Sequence, residues 1–288
     1  MKILVLGVTG MLGSAVFSRF SEDPAFETWG TLRSAAGLRH FNEAARPRLL
    51  TGVDVLDNDS LVAAMGRVKP DVVINCIGLI KQLADANDPL VALPVNAMLP
   101  HRLSRLCALS SARLIHVSTD CVFDGRKGMY LESDSSDAED LYGKSKYIGE
   151  VVSDPHAITL RTSIIGHEIG SNVALVDWFL SQAGPVKGYK HAVFSGLPTT
   201  ELARVMKDFV IPNPSLHGLY HCAVAPIDKY SLLTLVAQVY GKQIDIIPDD
   251  QVKIDRSLDA SRLLQATGYK PPSWPELIKE MHARREIH

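Results

Sequence analysis

Tyr142 and Lys146 stand four residues apart in the run Tyr142-Gly143-Lys144-Ser145-Lys146, the separation that places two side chains on one face of a helix. A free phenol ionises near pH ~10 and a lysine near ~10.4, so neither alone moves protons well at neutrality. An ammonium held beside the phenol favours the phenolate. Tyr142 then serves as general acid toward a carbonyl that receives hydride, or as general base in reverse, and the same ammonium can reach a cofactor ribose. Upstream, a strand expected at 112–118 leads into Ser118-Thr119-Asp120-Cys121-Val122-Phe123-Asp124-Gly125. A hydroxyl at the carboxyl end of a parallel strand points into the ligand crevice, so Ser118 or Thr119 can donate to the same carbonyl oxygen. Alone, Tyr-x-x-x-Lys is an ordinary amphipathic face. Its surroundings give it meaning.

The second chemical feature is Gly7-Val8-Thr9-Gly10-Met11-Leu12-Gly13, directly after the apolar run Ile3–Leu6. Only glycine lets a chain turn that tightly from strand to helix and lay backbone amides, here those of Thr9 to Leu12, against a pyrophosphate. A plain strand–helix turn would not need three glycines. NAD-binding folds place an acid about 20 residues further on, for the ribose 2′-hydroxyl. Here that region reads Gly30-Thr31-Leu32-Arg33-Ser34. Arg33 and Ser34 suit a 2′-phosphate instead, so NADPH is expected ahead of NADH. Asp54-Val55 is expected beside the adenine, and Asn75-Cys76-Ile77-Gly78 beside the nicotinamide ribose.

These groups need a frame. Apolar runs predict strands at 2–7, 26–32, 48–55, 71–76, 112–118 and 157–161, with helices at 11–20, 57–66, 88–110 and 141–153. Pro94 and Pro100 should delay or kink the third helix. Ile3–Leu6, Val72–Ile74 and Leu114–Val117 are too continuous for half-exposed strands and fit strands covered on both faces. The fold class is therefore α/β, a doubly wound parallel (Rossmann) sheet. Its dinucleotide-binding domain is placed at 1–162. The remainder, 163–288, richer in Gly and Pro, reads as a smaller substrate lobe with segments returning to the main sheet. Helices are expected there at 173–183, 199–210, 227–240, 259–267 and 274–284, and strands at 190–194, 217–222 and 244–247.

The 288 residues are 46% apolar, with 30 basic and 32 acidic side chains and a net charge of −2. With no long charged run, there is no footprint for nucleic acid or an anionic membrane, and no run approaches the ~18 apolar residues of a membrane span. Four scattered cysteines without Cys-x-x-Cys pairing read as reduced thiols of a cytoplasmic enzyme.

On Gly7–Gly13, Ser118–Gly125, Tyr142–Glu150, Arg161–Gly166 and Asp255–Leu263 followed by Trp274, the chain resembles the extended short-chain dehydrogenase/reductase superfamily. More narrowly, it resembles the dTDP-4-dehydrorhamnose reductase family. The resemblance implies a catalytic triad of Thr119, Tyr142 and Lys146, with Asp120 and Phe123 bordering the substrate and Asn96 supporting the site. It also implies a nucleotide-diphosphate 4-keto-6-deoxysugar as substrate, NADPH or NADH as cofactor, and leaves a homodimer open. Two departures stand out. Metal-dependent members carry a glutamate where this chain has Ala15, so no metal is expected. Members commonly have an aromatic where this chain has Ile164, which leaves the sugar open; Trp178 could compensate. An epimerase or dehydratase of the superfamily is the enzymatic alternative. A non-catalytic regulatory subunit, as in a partner of methionine adenosyltransferase, is the other.

Further candidates are weaker. His217 and His221 have the spacing of a metal pair only if helical, and a strand is expected there. His167-Glu168 falls in the expected substrate loop. Lys187, Lys190 and Arg256 are candidates for a substrate diphosphate, though each is also an ordinary surface charge.

Overall fold

A computed structural model describes residues 1–79 and 87–285. β1 (Lys2–Leu6) pairs in parallel with β2 (Glu27–Leu32) on one side and β4 (Val72–Asn75) on the other. β3 (Leu49–Thr51) extends one edge. β5 (Arg113–Thr119), β6 (Ala157–Thr162) and β10 (Gly218–His221) extend the other, giving the order β10-β6-β5-β4-β1-β2-β3. The direction of winding reverses between β1 and β4, which is where a doubly wound sheet opens a ligand crevice at its carboxyl ends.

The unbroken apolar strands now have their reason. In β1, Ile3 and Val5 face a core shared with α1 (Met11–Ser21) and α7 (Thr199–Val205), while Leu4 and Leu6 face one shared with α2 (Asn58–Val68) and α4 (Leu99–Leu109). Both faces are covered, so both sets of alternate residues must be apolar. A third small cluster, with Val122, Phe123, Tyr130, Ala223 and Leu258, joins the chain after β5 to the C-terminal part.

The expected helix 88–110 is continuous but not uniform. α3 (Pro89–Ala92) passes through a π-helical turn, Leu93–Met98, into α4. Pro94 offers no amide to the ladder, and the wider turn takes up the misfit, Leu99 N bonding back to Pro94 O. α5 (Leu141–Ile148) is shorter than the expected 141–153. It ends at Gly149, where a Cβ would stand 2.0 Å from the Asn96 carbonyl oxygen, and Val151 is instead bonded through both backbone groups to the Thr159 hydroxyl.

In the C-terminal part, β10 returns to the main sheet beside β6. β7 (Ile164–Ile165) pairs with β9 (Leu197–Pro198). β8 (Val186–Phe194) lies between β11 (Ile227–Asp228) and β12 (Ile246–Asp255). β12 runs well past the expected 244–247; its added length is mostly exposed and polar, with a register shift between Asp249 and Lys253, so no hydrophobic period marks it. The helices α6 (Leu175–Ser181), α8 (Lys229–Tyr240), α9 (Ser261–Thr267) and α10 (Trp274–Ala283) fall within the expected ranges.

Candidate active site

The three glycines of the first turn do different work. Gly7 has φ +82°, a left-handed conformation that favours glycine. Gly13 brings α1 down onto the turn: a Cβ there would lie 2.1 Å from Gly7 O. Gly10 accepts a Cβ at ordinary contact distance; as N-cap it leaves the first turn of α1 without a side-chain cap. Uncapped amides and the positive end of the helix dipole suit a phosphate. Thr9 is exposed and Met11 half-buried, whereas Leu12 is buried and can offer only its backbone. The cradle fits a dinucleotide pyrophosphate.

Arg33 and Ser34 are exposed just beyond β2. Ser34 Oγ accepts from Ala36 N at 3.2 Å, capping a 3-10 turn over Ala35–His40. Asp54 does not end a strand, because β3 stops at Thr51; it is exposed and accepts from Leu56 N at 2.9 Å. Val55 is half-buried against the core on the α2 face. Beyond β4, Ile77 N donates to Asn75 Oδ1, and burial raises the Cys76 thiol well above its usual range. A Cβ on Gly78 would stand 3.7 Å from Lys146 Nζ and 3.6 Å from Asn96 Oδ1, so the end of β4, the π turn and α5 meet there. Asn96 spends its amide on structure: Oδ1 accepts from Leu79 N at 2.9 Å, and Nδ2 donates to Leu79 O and to Ser145 Oγ. It positions α5.

Thr119 closes β5, with its hydroxyl accepting from Cys121 N at 3.1 Å and donating to Asp120 Oδ1 at 3.3 Å. Tyr142 lies in the first turn of α5, whose N-cap Asp140 accepts from Gly143 N. Burial raises the Tyr142 phenol above its ordinary range, and its hydrogen bond with Thr119 works in the opposite direction. The lowering expected from Lys146 is not what sets this phenol: burial dominates, and the phenol keeps its proton at neutrality, the state a general acid needs. Lys146 is 5% exposed and donates to Val117 O at 2.8 Å. Burial pulls its ammonium down to about 8, opposed by the Glu150 carboxylate. Asp120 is also buried, which raises it to about 6 against the pull of Arg256 and of hydrogen bonds from Cys121, Thr119 and Ser163.

Two expected contacts are corrected. The Ser118 side chain does not reach the crevice: its hydroxyl donates to Glu150 Oε1 at 2.7 Å in the interior, because neighbouring residues of a strand face opposite ways. Phe123 does not border an open substrate space. Its ring is wholly enclosed, stacked on Tyr130 at 4.0 Å with the Arg161 guanidinium 4.9 Å away; only its carbonyl serves the site, by accepting from Arg256 Nε at 2.8 Å.

Arg256, half-buried at the end of β12, is thereby brought to Asp120. Ile164 lies half-buried on β7. Lys187 and Lys190 pair with Asp249 and Asp250 on β12, and His167 bridges Asp177 and Tyr240. Trp178 receives the Lys229 ammonium over its ring. His221 is buried against Arg161 and Asp259 O, while His217 is exposed on its own turn.

Sequence reasoning gave no role to Glu150 or Arg161, and weighed His221 only as half of a metal pair. Arg161 carried a signal, an arginine ending the apolar run Ala157–Leu160. Its guanidinium is 1% exposed and forms two bonds to Glu150, at 2.9 and 2.6 Å.

A glycine turn at the switch point of the sheet, with Thr119, Tyr142 and Lys146 at the end of β5, is the arrangement of the short-chain dehydrogenase/reductase superfamily. Within it, residues 1–286 match the model described as the RmlD substrate binding domain, and the chain belongs to that family. Among curated relatives, dTDP-4-dehydrorhamnose reductase of Aggregatibacter actinomycetemcomitans is 24% identical, covering 99% of each chain. Methionine adenosyltransferase 2 subunit beta of Mus musculus is 31% identical over all of this chain and 91% of the relative. Among solved structures, dTDP-4-dehydrorhamnose reductase from Bacillus anthracis in complex with NADP superposes with a TM-score of 0.79 at 18% identity, covering 98% of this chain and 99% of that one.

Proposed function

We propose that the chain is an NADPH-dependent reductase of a nucleotide-diphosphate 4-keto-6-deoxysugar, acting in the synthesis of surface polysaccharide precursors. The observation that carries this reading is the pairing of the half-buried, protonated Tyr142 with the Thr119 hydroxyl where β5 opens into the crevice. Bound NADPH supplies a hydride for the C4 ketone. The chain's own part is to hold and neutralise the oxygen: Thr119 donates a hydrogen bond to it, and Tyr142 delivers the proton. Lys146 holds the ribose and, as an ammonium, stabilises the phenolate left behind. Exposed Arg33 and Ser34 favour the 2′-phosphate. Purified protein incubated with NADPH and a panel of nucleotide 4-keto-6-deoxysugars should consume NADPH with at least one of them. NADPH loss that requires a keto-sugar also separates a reductase from an epimerase or dehydratase, which restores its cofactor in each turnover.

A second reading has its own support. The likeness to methionine adenosyltransferase 2 subunit beta extends over the whole chain at 31% identity. It would make this chain a dinucleotide-binding regulatory subunit. Co-purification with a methionine adenosyltransferase, together with no turnover of any keto-sugar, would favour it.

A further inference from the structure

We propose that Glu150, paired with Arg161, is the positioning residue that locks the catalytic helix to β5 and keeps Lys146 charged. The inference rests on the reading of Tyr142 and Lys146 as the proton-transfer pair and adds a residue to it. Two side chains, from α5 and the turn just past it, grip consecutive residues of β5. Lys146 Nζ donates to Val117 O at 2.8 Å, and Glu150 Oε1 accepts from Ser118 Oγ at 2.7 Å. The next residue of the strand is Thr119, so these two bonds set how the Thr119 hydroxyl meets Tyr142. Lys146 must also serve the cofactor; Glu150 has no such second duty.

Glu150 is 7% exposed, and its carboxylate oxygens are bonded to Ser118 and twice to Arg161. Arg161 extends the network to His221 on β10 at 3.1 Å and lies over the Phe123 ring. The Glu150 charge opposes the fall of the Lys146 ammonium; bonded at both oxygens, the carboxylate is fixed in place, and its charge acts through a poorly screening interior. The other ionisable groups around the ammonium offer no substitute. Tyr142 is protonated. His116 on β5 is neutral, held well below its usual range by burial and by Lys146 itself, with His101 of α4 adding to this. Asn96 and Gly78, nearest from the π turn and β4, carry no charge. Arg161 on β6 is bonded to the carboxylate and His221 on β10 to Arg161, and beside burial only Glu150 acts on the ammonium.

The test is a direct titration of Lys146 by NMR of isotope-labelled lysine in the full chain, without cofactor. The wild-type midpoint is expected at about 8. Glu150→Gln should lower it by about one pH unit, a tenfold loss of proton affinity, while Glu150→Asp should keep it within a few tenths. If the uncompensated Arg161 prevents Glu150→Gln from folding, the double variant Glu150→Gln/Arg161→Gln removes the pair as a unit and should show the same downward shift. A folded variant of either kind with an unchanged midpoint overturns the proposal, because a merely structural pair would leave the titration where it was. The readout needs neither substrate nor NADPH. A failure of wild-type protein to bind NADPH would therefore count against the proposed function and leave this inference standing on its own result.

Discussion

Gly13→Ala separates the close-approach role of this glycine from ordinary turn chemistry. The added Cβ would stand 2.1 Å from Gly7 O, 2.7 Å from Gly7 C and 3.0 Å from Val8 Cα. All three atoms are backbone, so no side chain can rotate to make room, and α1 must retreat from the turn by about 1 Å in a close-packed interior. Overpacking of that kind costs about 1–3 kcal/mol. A displacement of about 1 Å in a positioning element can also cost ~100-fold in function. Gly10→Ala is the control, because its Cβ meets only Gly7 O at 3.5 Å and its backbone, φ −81° and ψ 160°, suits alanine; less than about 1 kcal/mol is at stake there. Urea unfolding of both variants gives the stabilities, and NADPH titration by fluorescence gives the affinities. Gly13→Ala should lose both stability and at least tenfold in affinity. If Gly13→Ala were as stable as wild type and bound NADPH equally well, the account of the turn would be refuted.

Arg33→Ala should weaken NADPH binding by about tenfold or more while leaving NADH nearly unchanged, since only the 2′-phosphate needs the guanidinium; paired titrations with the two cofactors decide it. Lys146→Met should stabilise the chain while removing activity. Lowering the ammonium from 10.5 to about 8 corresponds to about 3 kcal/mol of cost at neutral pH, of which about 1 kcal/mol is offset by the lost bond to Val117 O. In wild type the folded chain gives up this proton at about 8 and the unfolded chain near 10.5. The advantage of Lys146→Met is therefore full below pH 8 and fades as pH rises through that window, which denaturant melts across the range would show.

The frame of the site was legible because its physics is local. Both-faces burial leaves an apolar run with no alternation, and a phosphate cradle leaves glycines at short intervals; β1, α1 and the position of Tyr142 follow from such signals. Other features depend on partners far away in sequence. Whether Ser118 or Thr119 faces the crevice depends on where β5 ends, a matter of one residue. The enclosure of Phe123 by Tyr130 and Arg161 and the arrival of Arg256 beside Asp120 depend on how the C-terminal part docks. Glu150 reads as a surface acid until Arg161, on the next strand, is known to point at it. Most of β12, beyond the expected 244–247, escaped notice because an exposed edge strand needs no hydrophobic period.

The central claim is that the Tyr142 hydroxyl delivers the proton. The measurement is the turnover of Tyr142→Phe on the keto-sugar that wild type reduces, with NADPH affinity determined on the same preparation. The account predicts turnover down by ~100- to 10,000-fold with affinity within about threefold of wild type, since the ring still packs and Lys146 is untouched. Turnover at the wild-type rate with NADPH bound would contradict it.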